Sequence, residues 1–372
     1  NLYFCYYFEI LLFHYKVVEF FHPHYIQEQH TESSLLLISP MKKYERLKIG
    51  VIGCGYWATN LIKTFEDNNI KNVTIFDNKY SQVKLLKKKF NFVKIGKSFE
   101  NLINLNLDCI FLITPSSTHF KLARKIINKG HNLFLEKPGT LSSKHIGLLT
   151  DLSKKKKITF MVGYIYNFNV YINYIKKILN KNVLGKIKYL YFERSNLGPI
   201  RNDTSCVWDL ASHDISTSYY LLNTNPKIDS ATGNNFLKKK YYDISFIKMN
   251  FSGIKVEIKS SWLNPEKIRK LIIIGEKKML QFDEMAKKDK INIYNKYATY
   301  PKISKFKKNF FSPHANIYLG STFVPKIKYK PPMLNEIEHF FSAIKNKKKP
   351  STDGQYAKKI IKILESIDNK FN

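Results

Sequence analysis

The sequence predicts an α/β protein in two parts. A doubly wound parallel sheet comes first, and an α+β domain built on a large, open, mainly antiparallel sheet follows. Three observations predict it. Residues 48–52 are a short, mostly apolar, β-branched run ending in Gly53-Cys54-Gly55-Tyr56-Trp57-Ala58, a G-x-G-x-x-A turn that opens a helix over 56–69. From there to Val162, short apolar runs alternate with helix-length segments, which is the pattern of a parallel sheet. From Val183 onward, runs of alternating apolar and polar residues are separated by turn residues, which is the pattern of antiparallel strands with one covered face. The corresponding division is an extension over 1–40, a first domain over 45–165, and a second over 166–372 whose C-terminal helices fold back on the core.

Size and composition set the outer limits. A chain of 372 residues exceeds what one core usually holds, and 44% hydrophobic content is that of a globular protein. The formal charge of +33 comes from lysines spread through the whole chain among many Asn and Ile. That spread reads as a compositional bias of solvated faces, suited to an anionic small substrate, with no nucleic acid or membrane expected as partner. Cys5, Cys54, Cys109 and Cys206 are scattered, with no C-x-x-C pair. Reduced thiols in a cytoplasmic setting are expected, with no disulfide frame and no metal site. Residues 1–21 are rich in aromatic and aliphatic side chains, but Glu9, Lys16 and Glu19 interrupt them, so no charge-free run reaches the ~18–20 residues of a membrane span. Met41 sits just before the first strand, and residues 1–40 are read as lying outside the main fold. A membrane-surface anchor and a docked helix are the alternatives.

Within the first domain each element has its reason. In the glycine turn, Gly53 makes the bend, Gly55 lets backbone approach a phosphate, and Ala58 lets helix and strand come close. The helix N-terminus receives the anion. Residues 73–77 form a second strand ending in Asp77, about 20 residues past the glycines, where a ribose-binding carboxylate belongs. Such a carboxylate repels a 2′-phosphate and favours NAD over NADP, although Lys79 is a cation nearby. A short strand (92–95) and helix (98–105) lead to a buried strand over 109–114. Pro115-Ser116-Ser117-Thr118-His119 then forms a polar turn before a helix over 120–129 that ends at Gly130. The strand 132–135 closes in Glu136-Lys137-Pro138-Gly139, and a helix (142–157) and a strand (158–162) complete the domain. Asp77, Thr114, Glu136 and Lys137 all fall at carboxyl ends of strands, which form the binding crevice of such sheets. Pro138 fixes the backbone beside Lys137. A lysine held there can donate to a substrate hydroxyl; the alternative is one more solvated lysine.

In the second domain, strands are expected over 186–195, 242–251, 255–262, 269–274 and 290–294. A helical insertion over 208–222 begins Trp-Asp-Leu-Ala-Ser-His-Asp. Asp209 and His213 are four apart and would share one helix face, giving an imidazole oriented by a carboxylate, the usual construction of a general base; the alternative is a capping Asp and a packed His. Two amphipathic helices close the chain, over 334–347 and 355–370, the first with Leu334, Ile337, Phe340, Phe341 and Ile344 inward.

Taken together, the strings GVIGCGYWATN, ITPSSTH, EKPGT and WDLASHD, with the strand-end Asp77, resemble the glucose–fructose oxidoreductase / inositol dehydrogenase / MocA family from about Lys48 to the C-terminus. Longer strings, among them ERSNLGPIRND, VWDLASHDIS and SWLNPEKIRKLIIIGEKK, look most like its branch acting on nucleotide-linked sugars, the UDP-N-acetylglucosaminuronate 3-dehydrogenases. The resemblance implies an NAD-dependent oxidation of a ring hydroxyl, at C3, of a nucleotide-linked amino-sugar uronate, with Gly53, Gly55, Tyr56, Trp57, Asp77, Thr114, His119 and Glu136 around the cofactor. It further implies Lys137 polarising the hydroxyl, His213 taking its proton with Asp209 as neighbour, and Asn169 near the substrate. Arg194 and Arg201 would meet the substrate's anionic groups. The open sheet would build a homo-oligomer, a dimer or tetramer. The family usually shows His where this chain has Tyr164, so Tyr164 is assigned no role. A dehydrogenase of a free sugar or cyclitol, and a non-catalytic dinucleotide sensor, are the other readings.

Overall fold

Ile49–Ile52 (β1) is buried at every position, as a strand covered on both faces must be. The computed structural model describes residues 41–201, 203–237, 240–299 and 315–371, so the expectations for residues 1–40, Cys5 included, lie outside the described residues. From β1 the chain runs through Tyr56–Asp67 (α1), Val73–Phe76 (β2), Tyr80–Lys89 (α2), Lys94–Ile95 (β3), Phe99–Ile103 (α3), Cys109–Leu112 (β4), Ser116–Asn128 (α4), Asn132–Glu136 (β5), Ser143–Lys155 (α5) and Phe160–Gly163 (β6). The six strands form one wholly parallel sheet in the order β3-β2-β1-β4-β5-β6. The order reverses between β1 and β4, which opens a crevice at their carboxyl ends. The helix α2 was not foreseen. It is Lys-rich and buries only Val83 and Leu86, so its apolar period is too sparse to read.

Beyond Val170–Asn180 (α6) comes the second sheet. Ile187–Ser195 (β7) is followed by a π-helical turn, Val207–Ala211, running into Ser212–Leu222 (α7). Then come Lys227–Asn234 (β8), Ile244–Phe251 (β9), Ile254–Ser261 (β10), Ile268–Gly275 (β11), Met279–Asp283 (β12), Ile291–Thr299 (β13) and Asn316–Phe323 (β14). The sheet order is β14-β13-β12-β11-β7-β10-β9-β8. Every neighbouring pair is antiparallel except β10 with β7, because the α7 segment carries the chain across the sheet between them. Burial alternates along β7, β9 and β10, so one face is covered and the other open.

Both sheets belong to one unit that begins at Tyr44, stitched together by the last two helices. In Pro332–Lys345 (α8), Phe340 sets its ring edge-on to Phe111 of β4 at 5.5 Å and to Phe134 of β5 at 5.6 Å. Ile337, Phe340 and Phe341 are inward as expected, Leu334 and Ile344 are half-buried, and Glu336 is buried among them. Gly354–Asp368 (α9) is capped by Asp353, and Asp368 accepts the Trp208 indole N–H at 2.7 Å, which ties α9 to the π-helical turn. Among the described residues no helix is long and apolar enough to cross a membrane.

Phe340 is fully buried between two strands that carry site residues. Phe340→Ala should cost about 3–5 kcal/mol in denaturant unfolding. A loss under about 1 kcal/mol would show that α8 does not hold the parallel sheet.

Candidate active site

At the end of β1, Gly53 has φ +103°, and a Cβ there would lie 2.8 Å from the Ile113 carbonyl oxygen. Only glycine fits on both counts. Gly55 caps α1 with no side-chain hydrogen bond, and a Cβ on it would meet nothing within 4 Å. The mouth of the helix is therefore open space facing uncapped N–H groups, a cradle for phosphate. Asp77 Oδ2 accepts the Cys54 N–H at 2.8 Å and Oδ1 accepts the Lys79 N–H at 2.8 Å. A carboxylate has about four acceptor sites, so two remain for ribose hydroxyls. A cleft of about 560 Å³, lined by Asp77, Asn78, Tyr80, Gly96 and Ser98 among others, continues beyond it. Loop, carboxylate and cleft fit the adenosine and pyrophosphate parts of a dinucleotide. Cys54 is no nucleophile: burial, and then Asp77, push its thiol up to about 12. Tyr56 is 71% exposed.

The next strand end is held by hydroxyls. Thr118 gives its proton to the Pro115 carbonyl at 2.7 Å, so the Thr114 hydroxyl is the donor in the 2.7 Å Thr114–Thr118 contact. His119, expected beside the cofactor, is 1% exposed, with Nδ1 3.0 Å from the Gly139 carbonyl and Nε2 2.7 Å from the Thr114 carbonyl. Neither nitrogen is left for a ligand, and the cofactor reading of His119 is corrected to that of a brace between two loops. Burial drives its pKa down to about 4, against the opposing pull of the carbonyls, so the ring is neutral.

That brace positions Lys137. The Lys137–Pro138 peptide is cis, the Pro138 carbonyl accepts the Tyr164 hydroxyl at 3.1 Å, and the Gly139 carbonyl faces His119. Lys137 Nζ donates to the Asp209 carbonyl at 2.8 Å and to Asp209 Oδ1 at 3.3 Å. An ammonium has three hydrogens, so one remains. Beside it stands Glu136, with the Trp57 indole of α1 close enough to act on its carboxyl. Burial raises Glu136 to about 7 despite the opposing effects of Lys137, Trp57 and Arg201.

Asp209 is the main correction. It sits in the π-helical turn, and its carboxylate is taken by Lys137 and Trp262 rather than by His213. Its Oδ2 accepts the buried Trp262 indole N–H at 3.2 Å, and Arg201 Nη1 lies 3.9 Å from Oδ1. Asp209 therefore orients Lys137, not His213. The His213 ring is half-buried, edge-on to the Tyr166 ring at 5.1 Å, and makes no hydrogen bond to the described residues. Burial first, and then the charges of Lys137, Arg194 and Arg269, hold it well below the ordinary histidine value, so it is neutral at pH 7.

The anion-binding expectation for Arg194 is also corrected. It is 5% exposed and each of its three nitrogens is bonded to protein, with Nε and Nη2 on Asp214 at 2.8 and 2.6 Å and Nη1 on the Tyr166 hydroxyl at 2.6 Å. Arg201 forms a twin bond to Asp203 at 3.0 and 2.9 Å and stays half-exposed over Asp209. Asn169 is buried as the cap of α6, accepting the Tyr171 N–H at 2.9 Å. Two residues were missed. Trp262, just past β10, fixes Asp209, and a lone tryptophan gives no sign of that. Glu336 is 3% exposed, its Oε1 has no hydrogen-bond partner among the described residues, and burial and Glu136 hold it well above the carboxylate range. Its place one residue before Ile337 and four before Phe340 was the available signal.

Residues 47–164 match the family described as oxidoreductase family, NAD-binding Rossmann fold, and residues 172–281 match the GFO/IDH/MocA C-terminal domain. The two spans take in more than half of the chain, which belongs to the GFO/IDH/MocA family. It is 26% identical over 224 residues to an oxidoreductase of Streptococcus pneumoniae, covering 56% of this chain and 60% of that one. It is 26% identical over 181 residues to scyllo-inositol 2-dehydrogenase (NAD(+)) of Bacillus subtilis, covering 45% of this chain and 52% of that one. Identity to UDP-N-acetylglucosamine 3-dehydrogenase of Acidithiobacillus ferrooxidans is 27% over 128 residues, 34% of this chain and 40% of the relative. The solved structure of that enzyme superposes with a TM-score of 0.71 at 19% identity, over 87% of this chain and 97% of it, which shows a shared fold. The matched segments thus span 40–60% of the length of these curated relatives.

The raised Glu136 sets a pH dependence. In the unfolded chain it ionises near 4.5, in the folded protein near 7, so folding binds a proton between those values and stability falls as pH rises through that window. Relative to wild type, Glu136→Gln should gain Tm progressively from pH 4.5 to 7 and hold a constant advantage above. A gap that does not change with pH would refute burial as the cause.

Proposed function

We propose that this GFO/IDH/MocA member is an NAD-dependent dehydrogenase that oxidises a ring hydroxyl, at C3, of a nucleotide-linked amino-sugar uronate to the ketone. The observation that carries the reading is the pairing at one end of the crevice of Lys137, with one ammonium hydrogen uncommitted, and His213, a neutral imidazole with no protein partner and within electrostatic reach of that ammonium. A dinucleotide sensor has no use for such a pair. The relatives that act on ring hydroxyls of a nucleotide sugar and of an inositol support the reaction class.

In this mechanism the Lys137 ammonium donates its remaining hydrogen to the substrate hydroxyl oxygen and stabilises negative charge as it develops there. His213 accepts the hydroxyl proton. NAD, when bound, supplies the hydride acceptor. Gly53, Gly55 and the α1 N-terminus would hold its pyrophosphate, and Asp77 its ribose. Asp209 holds the ammonium in place, and Tyr164 and His119 hold the loop that carries it.

The same reading covers the setting of the protein. Cys54, Cys109 and Cys206 are free and buried, in keeping with a reducing, cytoplasmic compartment. Phe246, Ile317 and Leu319 lie exposed on the second sheet, suited to a homo-oligomeric contact that light scattering would detect.

Incubation with NAD and a panel of UDP-N-acetylglucosaminuronate, UDP-N-acetylglucosamine and myo-inositol, followed by NADH absorbance, tests the substrate. Turnover of inositol alone would replace the nucleotide-sugar reading with the cyclitol one. Tight NAD binding without any turnover would favour the sensor. His213→Ala should lower kcat about 10²–10⁴-fold while NAD affinity is kept. Because His213 is held below 6.5, the acid limb of kcat/KM should fall below pH 6.5. A limb at or above that value would mean another base.

A further inference from the structure

The register of the second sheet sets Arg269 of β11 directly opposite Arg194 of β7. Like charges facing each other across an antiparallel pair are destabilising. Only one of the two is answered. Arg194 has its twin bond to Asp214, whereas Arg269 forms no ion pair within 4 Å among the described residues. Its partners are the Ser195 carbonyl at 2.9 Å, the Ile268 carbonyl at 2.7 Å and the Asn196 side-chain oxygen, all neutral. A guanidinium has five N–H groups, so two remain after these three bonds. Glu284 lies near enough to moderate the charge, but its Oε2 accepts the Tyr166 hydroxyl at 2.7 Å.

Lys267 lies in the loop just before β11, two residues from Arg269. It is exposed, makes no hydrogen bond or ion pair to the described residues, and lies close enough to Arg269 for each to feel the other's charge. His213 lies within reach of both Lys137 and Arg269. The candidate base is therefore flanked by the polarising lysine and by a cationic pair that has no carboxylate within 4 Å among the described residues, Asp214 and Glu284 acting on it only from further off.

We propose that Arg269, assisted by Lys267, binds an oxyanion of the substrate, the sugar carboxylate or a phosphate of the nucleotide, beside His213. The inference rests on the nucleotide-sugar reading above and adds the residues that select for charge. A planar guanidinium with two free N–H groups suits a two-oxygen anion. The bound anion also offsets the cationic field on His213 and strengthens it as a base only when substrate is in place.

The test compares wild type, Arg269→Gln and Lys267→Gln, with NAD binding by fluorescence as the check on folding. Lys267 is exposed, so its variant remains informative if the Arg269 variant misfolds. Loss of one charge-assisted contact should raise KM about 10–100-fold with little change in kcat. If the anion is the carboxylate, KM rises for UDP-N-acetylglucosaminuronate and not for UDP-N-acetylglucosamine. If it is a phosphate, KM rises equally for both and inhibition by UDP weakens by the same factor. In either case the NMR titration of His213 should move up on adding the bound anion in wild type, and less in the variants. Unchanged KM and UDP inhibition in both variants, with an active wild type, overturn this inference alone. A wild type that binds no nucleotide sugar by calorimetry overturns the parent reading as well.

Discussion

The geometry of the site depends on one contact across the two sheets, the Lys137 ammonium on the carbonyl and carboxylate of Asp209, 72 residues further along the chain. It joins the end of β5 to the π-helical turn before α7, both little exposed, at 13% and 19% for the two side chains. A buried pair is costly to desolvate and becomes worthwhile only when every remaining site is filled. Here the other carboxylate oxygen takes the Trp262 indole N–H, and Arg201 stands 3.9 Å away. The pair contributes position more than stability: it fixes where the third ammonium hydrogen points and how far α7 stands from the crevice.

Charge is distributed around that contact in a consistent way. The carboxyls on the cofactor side, Glu136 and Glu336, are raised by burial, and Glu336 further by Glu136, so the protein limits negative charge behind the lysine. The cations on the substrate side, Lys137, Arg194 and Arg269, all bear on His213 and keep it unprotonated. A base needs its lone pair free before substrate arrives, and a cationic surround secures that at the expense of basicity. The overall charge of +33 suits the same end, since a positive field draws an anionic substrate to a cleft.

The legible features were those written in local spacing. The glycine turn, Asp77 and the strand-end Lys137 were found because strand, turn and helix follow one another within a few residues. Tertiary partners were not legible. Arg194 looked free because Asp214 lies 20 residues away and is brought to it only by the return of α7 over β7. Asp209 and His213 looked paired because a spacing of four implies one helix face, but the Asp209 carboxylate is taken by Lys137 and Trp262, 72 and 53 residues away in the chain. The helix α2 escaped because its lysines outnumber its apolar residues, and Arg269 escaped because strand register, which sets it against Arg194, is not readable in one chain.

Tyr164 shows how far such a site tolerates change in its supports. The family usually has histidine there, and this chain sets a phenol in place of the imidazole. In place it is 2% exposed, and its hydroxyl donates to the Pro138 carbonyl, the residue after Lys137. Burial holds the phenol well above its ordinary value, so the proton it donates is always present. A neutral histidine offers that donor in only one of its two tautomers. What the position requires is a protonated group of sufficient reach against a loop carbonyl. One residue later a ring nitrogen of His119 packs against the Gly139 carbonyl. The reacting groups are constrained by chemistry, and their supports only by the hydrogen bond they must complete.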